Sequence, residues 1–301
     1  MERKQLERFV STDLACESGR CAMKDYVSAK YSRREANGTV VETLEVEGEE
    51  ARGESGKEDG IYVTISDPRI KDASFDSSQI SAEVAAELEK LLSATLSRRI
   101  SSDTKVLVVG LGNRRMTSDA LGTMSADRIC ATSHLLGEFP EFKELGCASV
   151  SVTEPGVLSG TGIESALLVK GAAQSVGPHV IIAIDSMAAR DSSRLATTVQ
   201  ISNTGISPGG GIGNNRCRID GASLGCPVIS IGSPTVVRSS TLVYDALEAA
   251  GITDVSAPLV SILENGIDFF VSPDDCDRIV DRLSQIISYA VNRALGTSDL
   301  V

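Results

Sequence analysis

Two aspartates, each standing where an apolar run gives way to a loop, are the residues of this chain best suited to chemistry. Asp119 lies in Thr117-Ser118-Asp119-Ala120-Leu121-Gly122, just after Val108-Val109-Gly110-Leu111-Gly112-Asn113. Asp185 ends the run Ile181-Ile182-Ala183-Ile184 and opens Ser186-Met187-Ala188-Ala189-Arg190. In a parallel α/β sheet, ligands bind in the crevice outside the carboxyl ends of the strands. Two aspartates at such ends can therefore share one crevice. A carboxylate pair is the minimum equipment for acid/base hydrolysis, with one group taking a proton and the other giving one.

Each aspartate also has a plainer reading. Thr117, Ser118 and Asp119 precede an apolar-periodic stretch, and all three residue types suit a helix cap. Asp185 follows a wholly apolar strand, where a carboxylate is costly to desolvate unless it is used or paired. Arg190 is the nearby candidate for an ion pair.

Other segments bear on the same crevice. Ser207-Pro208-Gly209-Gly210-Gly211-Ile212-Gly213 reads either as a substrate loop lined by backbone N–H groups or as a flexible turn. Asn113, and the loop from Glu154-Pro155-Gly156 to Gly162, are further candidates for its wall. Gly110-Leu111-Gly112 invites a dinucleotide reading, but Arg115 stands where the third glycine belongs and no strand ends with an acidic residue about 20 positions later. His134 and His179 fall within a predicted helix and at the start of a strand, and no G-x-S-x-G elbow is present.

The elements that must position these residues are legible from periodicity. Ile80, Val84, Ala85, Leu88, Leu91, Leu92 and Leu96 recur at helical spacing through Arg99. Strands are expected at 105–110, 148–152, 179–185, 197–201 and 227–231, with helices over 118–136, 162–176 and 239–250 between them. Ser272-Pro273-Asp274-Asp275 opens a last helix. The Glu- and Gly-rich stretch from Tyr31 to Gly60 reads as a strand or hairpin among mobile loops. Strand–helix alternation predicts an α/β fold: three layers, doubly wound around a mainly parallel sheet, with a small N-terminal β/α extension.

Composition narrows the class of partner. The 301 residues carry a formal charge of −12 and 4% aromatics with no Trp, which argues against a nucleic-acid binder. Seven scattered cysteines without a C-x-x-C favour reduced thiols over disulfides or a thiolate metal site. The N-terminus is charged, and no apolar stretch is long enough to cross a bilayer, so an intracellular protein without a membrane partner is expected.

In order along the chain, VVGLGN…TSDALG, PGV…GTGIE, IIAIDSMAAR, TTVQISNTGISPGGGIGN and IGSPTVV resemble the spore germination protease family. The likeness is close over Lys105–Arg238. It implies an endopeptidase of the spore core that starts degradation of small acid-soluble spore proteins, with a fold similar to the hydrogenase-maturation endopeptidases. It further implies an acid-type mechanism at Asp119 and Asp185, no cofactor or metal, and assembly as a homodimer or homotetramer. The family cleaves after an acidic residue and before an apolar residue followed by alanine. Asp13-Leu14-Ala15 fits that order, so residues 1–13 are expected to be a self-removed leader and residues 14–301 one protease domain. Val10 occupies an upstream position where the family favours an acid.

Two departures accompany the likeness. The usual prolines around the first aspartate are Ser118 and Thr123 here, and the connection from Val237 to Ser272 is shorter than the family's long insertion. They leave two further readings open: a metal-dependent hydrolase of the same fold, since strand-end aspartates also hold divalent cations, and a binding homologue without activity.

Overall fold

The computed structural model describes residues 12–17, 26–72, 74–210, 216–252, 255–265 and 269–300. Among the described residues the strands are β1 (Lys30–Ala36), β2 (Thr39–Val46), β3 (Gly60–Ser66), β4 (Lys105–Gly110), β5 (Ser149–Thr153), β6 (Val180–Ala189), β7 (Thr198–Ser202), β8 (Val228–Arg238) and β9 (Phe270–Val271). They form one sheet in the order β1-β2-β3-β7-β8-β6-β4-β5, with β9 on β8.

The α/β class is as expected, and the sheet is mixed. β5, β4, β6 and β8 run parallel. β7 turns antiparallel to β8 and joins the β1–β3 meander to it, so the N-terminal extension continues the main sheet. All five residues of Val180–Ile184 are buried, as a strand covered on both faces requires.

Alternation in the strands sorts the core into two sides. Val106, Val108, Ile182 and Ile184 pack with Leu88 and Leu92 of the Ser78–Leu96 helix and with Leu283, Ile287 and Val291 of the Cys276–Ala294 helix. Leu107, Val109, Ile181 and Ala183 face the opposite way, against Ala166, Val169 and Ala173 of the Ser165–Val176 helix. Farther along that second face, Met187 and Ala189 meet Leu14, Leu195 and Val237. Asp185 lies on this face between Ala183 and Met187, where two apolar clusters leave a gap.

Two local expectations are corrected. The helix expected over 118–136 is divided into a 3-10 turn at Thr117–Asp119, a helix at Leu121–Ala126 and another at Ser133–Glu138. Between the helices the chain pairs with β5: Thr132 N donates to Val150 O at 3.0 Å, and the Thr132 hydroxyl donates to Ala148 O at 2.5 Å. Those bonds replace helical ones. The Glu-rich stretch holds a helix at Gly48–Ser55, fixed by Asp59 accepting from Gly48 N and pairing with Arg52. A further helix, Ala257–Asn265, occupies the connection between β8 and β9. Cys130, Cys147, Cys217, Cys226 and Cys276 are free thiols; Cys21 lies outside the described residues.

Candidate functional site

Asp119 and Asp185 line one cavity of about 380 Å³ together with Asp13, Ser186, Gly209, Arg216 and Thr235. It lies past the carboxyl end of β4 but beside the middle of β6, because β6 does not end at Asp185 as expected and stays paired with β8 to Ala189. Backbone contacts bring the two aspartates there. Leu111 N, just past β4, donates to Ile184 O at 2.8 Å, so the loop bearing Asp119 leaves the sheet beside Asp185. A side chain at Gly122 would put its Cβ 2.3 Å from both Ile184 O and Leu111 O. At Gly112, with φ +102°, the Cβ would stand 2.0 Å from Asp119 O. These glycines allow the aspartate turn to lie against the strand ends, which is why the GxG signal has no need of a dinucleotide.

The cap reading for Asp119 is replaced by a turn. Its Oδ2 accepts from Asn113 N at 2.9 Å and its carbonyl accepts from the same N–H at 2.8 Å, while the Leu121–Ala126 helix receives no side-chain cap. Burial raises its pKa, against the lowering effects of the Asn113 N–H and the Arg216 charge.

Asp185 is 5% exposed and accepts from Ser186 N at 2.9 Å. Among the described residues it has no ion-pair partner, so the Arg190 alternative is not realised; Arg190 N donates instead to Glu17 at 2.7 Å. Burial holds the Asp185 pKa well above the ordinary value, and the charges of Asp119 and Asp13 push it the same way. Two carboxylates whose surroundings differ this way favour a singly protonated pair, with the proton on Asp185.

Residues Thr12–Glu17 lie across the same face. The β6–β8 register shifts between Met187 and Ala188, and Ala188 meets Asp13 with both backbone groups. Ala188 N donates to Asp13 Oδ2 at 2.8 Å, and Asp13 N donates to Ala188 O at 3.0 Å. Leu14 is fully buried against Met187, Leu195 and Val237, and Ala15 is buried beside Leu44, Ala51 and Tyr62. Glu17, 3% exposed, accepts from Arg190 N and Asp191 N and faces Arg194, and burial lifts its pKa against those contacts.

The remaining candidates divide. Gly209 lines the cavity, and Gly210 lies beside the Asp13 carboxylate. Gly211 lies outside the described residues. Asn113 acts on Asp119 as described. Glu154 pairs with Arg114, both oxygens at 3.0 Å, and does not line the cavity. His134 and His179 are exposed and stand away from it, His179 Nδ1 accepting from Lys105 N. Among the described residues no three His, Cys, Asp or Glu side chains cluster to hold a metal ion. No described helix is long and apolar enough to cross a membrane.

Sequence reasoning missed Gln200, Lys57, Arg216 and Thr235. Thr235 Oγ1 donates to Ser118 O at 2.6 Å and so ties the Asp119 turn to β8. Gln200 carried one usable signal: a long amide inside the otherwise Thr/Val/Ile/Ser strand Thr198–Ser202, where burial demands partners.

The model of the germination protease family matches residues 11–250. The chain is 35% identical over 322 residues to a germination protease of Clostridium perfringens, covering 95% of each chain. It is 36% identical over 312 residues to one of Caldanaerobacter subterraneus subsp. tengcongensis, covering 95% of this chain and 94% of the relative. With the germination protease of Bacillus subtilis it shares 38% identity over 248 residues, 80% of this chain and 66% of the relative. Among solved structures, a NiFe hydrogenase maturation protease from Thermococcus kodakarensis aligns over 67% of this chain and 98% of its own, at 15% identity and a TM-score of 0.35.

Proposed function

The chain belongs to the germination protease family and is a peptidase of spore germination, and from that premise we propose that Asp119 and Asp185 hydrolyse peptide bonds as an acid-type pair. Ionised Asp119 takes a proton from water as the water oxygen bonds to the peptide carbonyl carbon. Protonated Asp185 gives its proton to the leaving nitrogen as the carbon–nitrogen bond breaks. The products are a carboxylic acid and an amine, and the pair is left with its proton on the other partner. No metal or cofactor enters this scheme.

The first bond cut is Asp13–Leu14, which frees residues 1–13 from a domain comprising 14–301. The observation that carries this reading is the seating of Asp13-Leu14-Ala15, whose Asp13 lines the cavity beside the two aspartates. The acidic side chain meets Ala188 N–H, the apolar one fills the Met187–Val237 cluster, and alanine occupies a close-packed site. The acidic–apolar–alanine order of the small acid-soluble spore proteins, the substrates in the spore core, would follow the same path. Assembly as a homodimer or homotetramer goes with this reading.

The test is N-terminal mass spectrometry of the full chain held at mildly acidic pH. Wild type should yield a chain beginning at Leu14. Asp119→Asn and Asp185→Asn should each slow that conversion by at least about a hundredfold, with far-UV circular dichroism unchanged. Normal trimming by either variant removes the aspartate pair from the mechanism.

A further inference from the structure

We propose that Gln200 is the residue that grips the scissile peptide, reading the backbone on both sides of the bond and, with Lys57, supplying the hole for the carbonyl oxygen. This rests on the Asp13–Leu14 cleavage proposed above and goes beyond the aspartate pair.

Gln200 lies on β7 opposite Gly232 of β8, which in turn pairs with Asp185 of β6. Residues paired in one row across a sheet project from the same face. Gln200 and Asp185 therefore stand on one face with only a glycine between them. The lack of a side chain at Gly232 lets Met187 pack over the row, its Cε 2.9 Å from where a Cβ would stand.

The Gln200 amide is 3% exposed, so both ends need partners. Both partners belong to the junction. Oε1 accepts from Ala15 N at 2.6 Å, and Nε2 donates to Asp13 O at 3.1 Å. Ala15 N–H is a donor only, which fixes which end of the amide faces it. The two bonds bracket the Asp13–Leu14 peptide. Lys57 Nζ adds a second donor to Asp13 O at 3.3 Å.

A peptide carbonyl with one neutral and one cationic donor is placed for the charge that develops when water adds to its carbon. The oxygen becomes an oxyanion and tightens onto Nε2 and Nζ, then returns to a carbonyl as the carbon–nitrogen bond breaks. With the oxygen so held, Asp185 is left to serve the leaving nitrogen. Residue 200 also selects backbone conformation: a substrate must present a carbonyl and, two residues on, an N–H to the two ends of one amide. Once residues 1–13 leave and the new N-terminus withdraws, Nε2 and Oε1 are released from Asp13 O and Ala15 N, and a substrate carbonyl and N–H take their places.

The experiment uses the Leu14–Val301 chain and a peptide containing Glu-Phe-Ala. Gln200→Met keeps length and removes both polar ends; kcat should fall on the order of a hundredfold or more and KM should rise. Gln200→Glu keeps the acceptor for the alanine N–H but loses the donor, so kcat should fall as far while KM stays near wild type. A second peptide replaces alanine with ester-linked lactic acid, deleting that one N–H without adding bulk. Wild type should bind it about tenfold more weakly by KM, and Gln200→Met should show no such difference.

Gln200→Met cleaving within a few-fold of wild type, while Asp119→Asn is inactive, overturns the clamp and leaves the aspartate pair standing. Full activity of both variants overturns both. If Gln200→Met fails to fold, the ester peptide on wild type decides: cleavage with unchanged KM overturns the clamp.

Discussion

The Thr235 hydroxyl donates to Ser118 O at 2.6 Å, so strand β8 holds the turn that carries Asp119. Thr235 is itself buried, and its loss would leave the Ser118 carbonyl short of a donor. Thr235→Val should cost about 1–3 kcal/mol of stability, measured by urea denaturation. Peptide hydrolysis should fall by more than stability alone explains, through kcat. A variant that keeps wild-type kcat would show that the Asp119 turn needs no tether.

Asp185 sets the pH response, since burial, Asp119 and Asp13 raise its folded-state pKa well above its ordinary value. The native state therefore keeps this proton to higher pH than the unfolded chain, whose aspartates titrate near pH 3.9. The protein is favoured by this group at low pH, and that stabilisation declines as pH rises through the raised folded pKa. Asp185→Asn should flatten stability against pH across that window and raise it at neutral pH. Denaturation midpoints over a pH series measure both effects.

Activity should have two limbs from the same pair. The rate should fall as pH rises through the Asp185 value, when the proton donor is lost. It should also fall as pH drops through the Asp119 value, raised by burial, when the base is protonated. Asp13 contributes one of the charges that lift Asp185. In a trimmed chain freed of residues 1–13 the alkaline limb should lie at lower pH than in Asp13-bearing protein. Stopped-rate assays of trimming and of peptide cleavage compare the two.

Gly112 has the conformation and the contacts that exclude a side chain. Gly112→Ala should destabilise by about 2–4 kcal/mol and displace Asp119. Both the denaturation midpoint and the rate of self-trimming should drop. A variant with wild-type trimming would mean that the turn relaxes freely.

Leu14 tests how firmly the junction is seated. It is wholly enclosed, so Leu14→Ala should cost about 2–5 kcal/mol and slow trimming. Leu14→Met, of similar size, should restore most of both. Equal behaviour of the two would show that the cluster around Met187 does not seat the junction.

Much of the site was legible because its signals are local. Val180–Ile184 reads as a strand from its unbroken apolar run, and Asp185 stands out as the first charge after it. The Ser78–Leu96 and Cys276–Ala294 helices follow from spacing. What escaped depends on distant partners. The 118–136 pattern is helical by period, yet Thr132 bonds across to β5. β7 reads like any other buried strand, and only pairing with β3 and β8 reveals its direction. Gln200 is marked as unusual by its strand, but its role depends on residues 185 positions earlier in the chain and beyond.

The enclosure of Leu14 bears on what maturation would leave behind. A cut at its amino side would leave Leu14 and Ala15 in the places that a substrate's apolar residue and alanine must take, with Glu17 anchored just behind them. The new first residues must therefore withdraw before the cleft can take a substrate. The scar of activation would then be a charged amine born inside the working cleft rather than a loose tail on the surface.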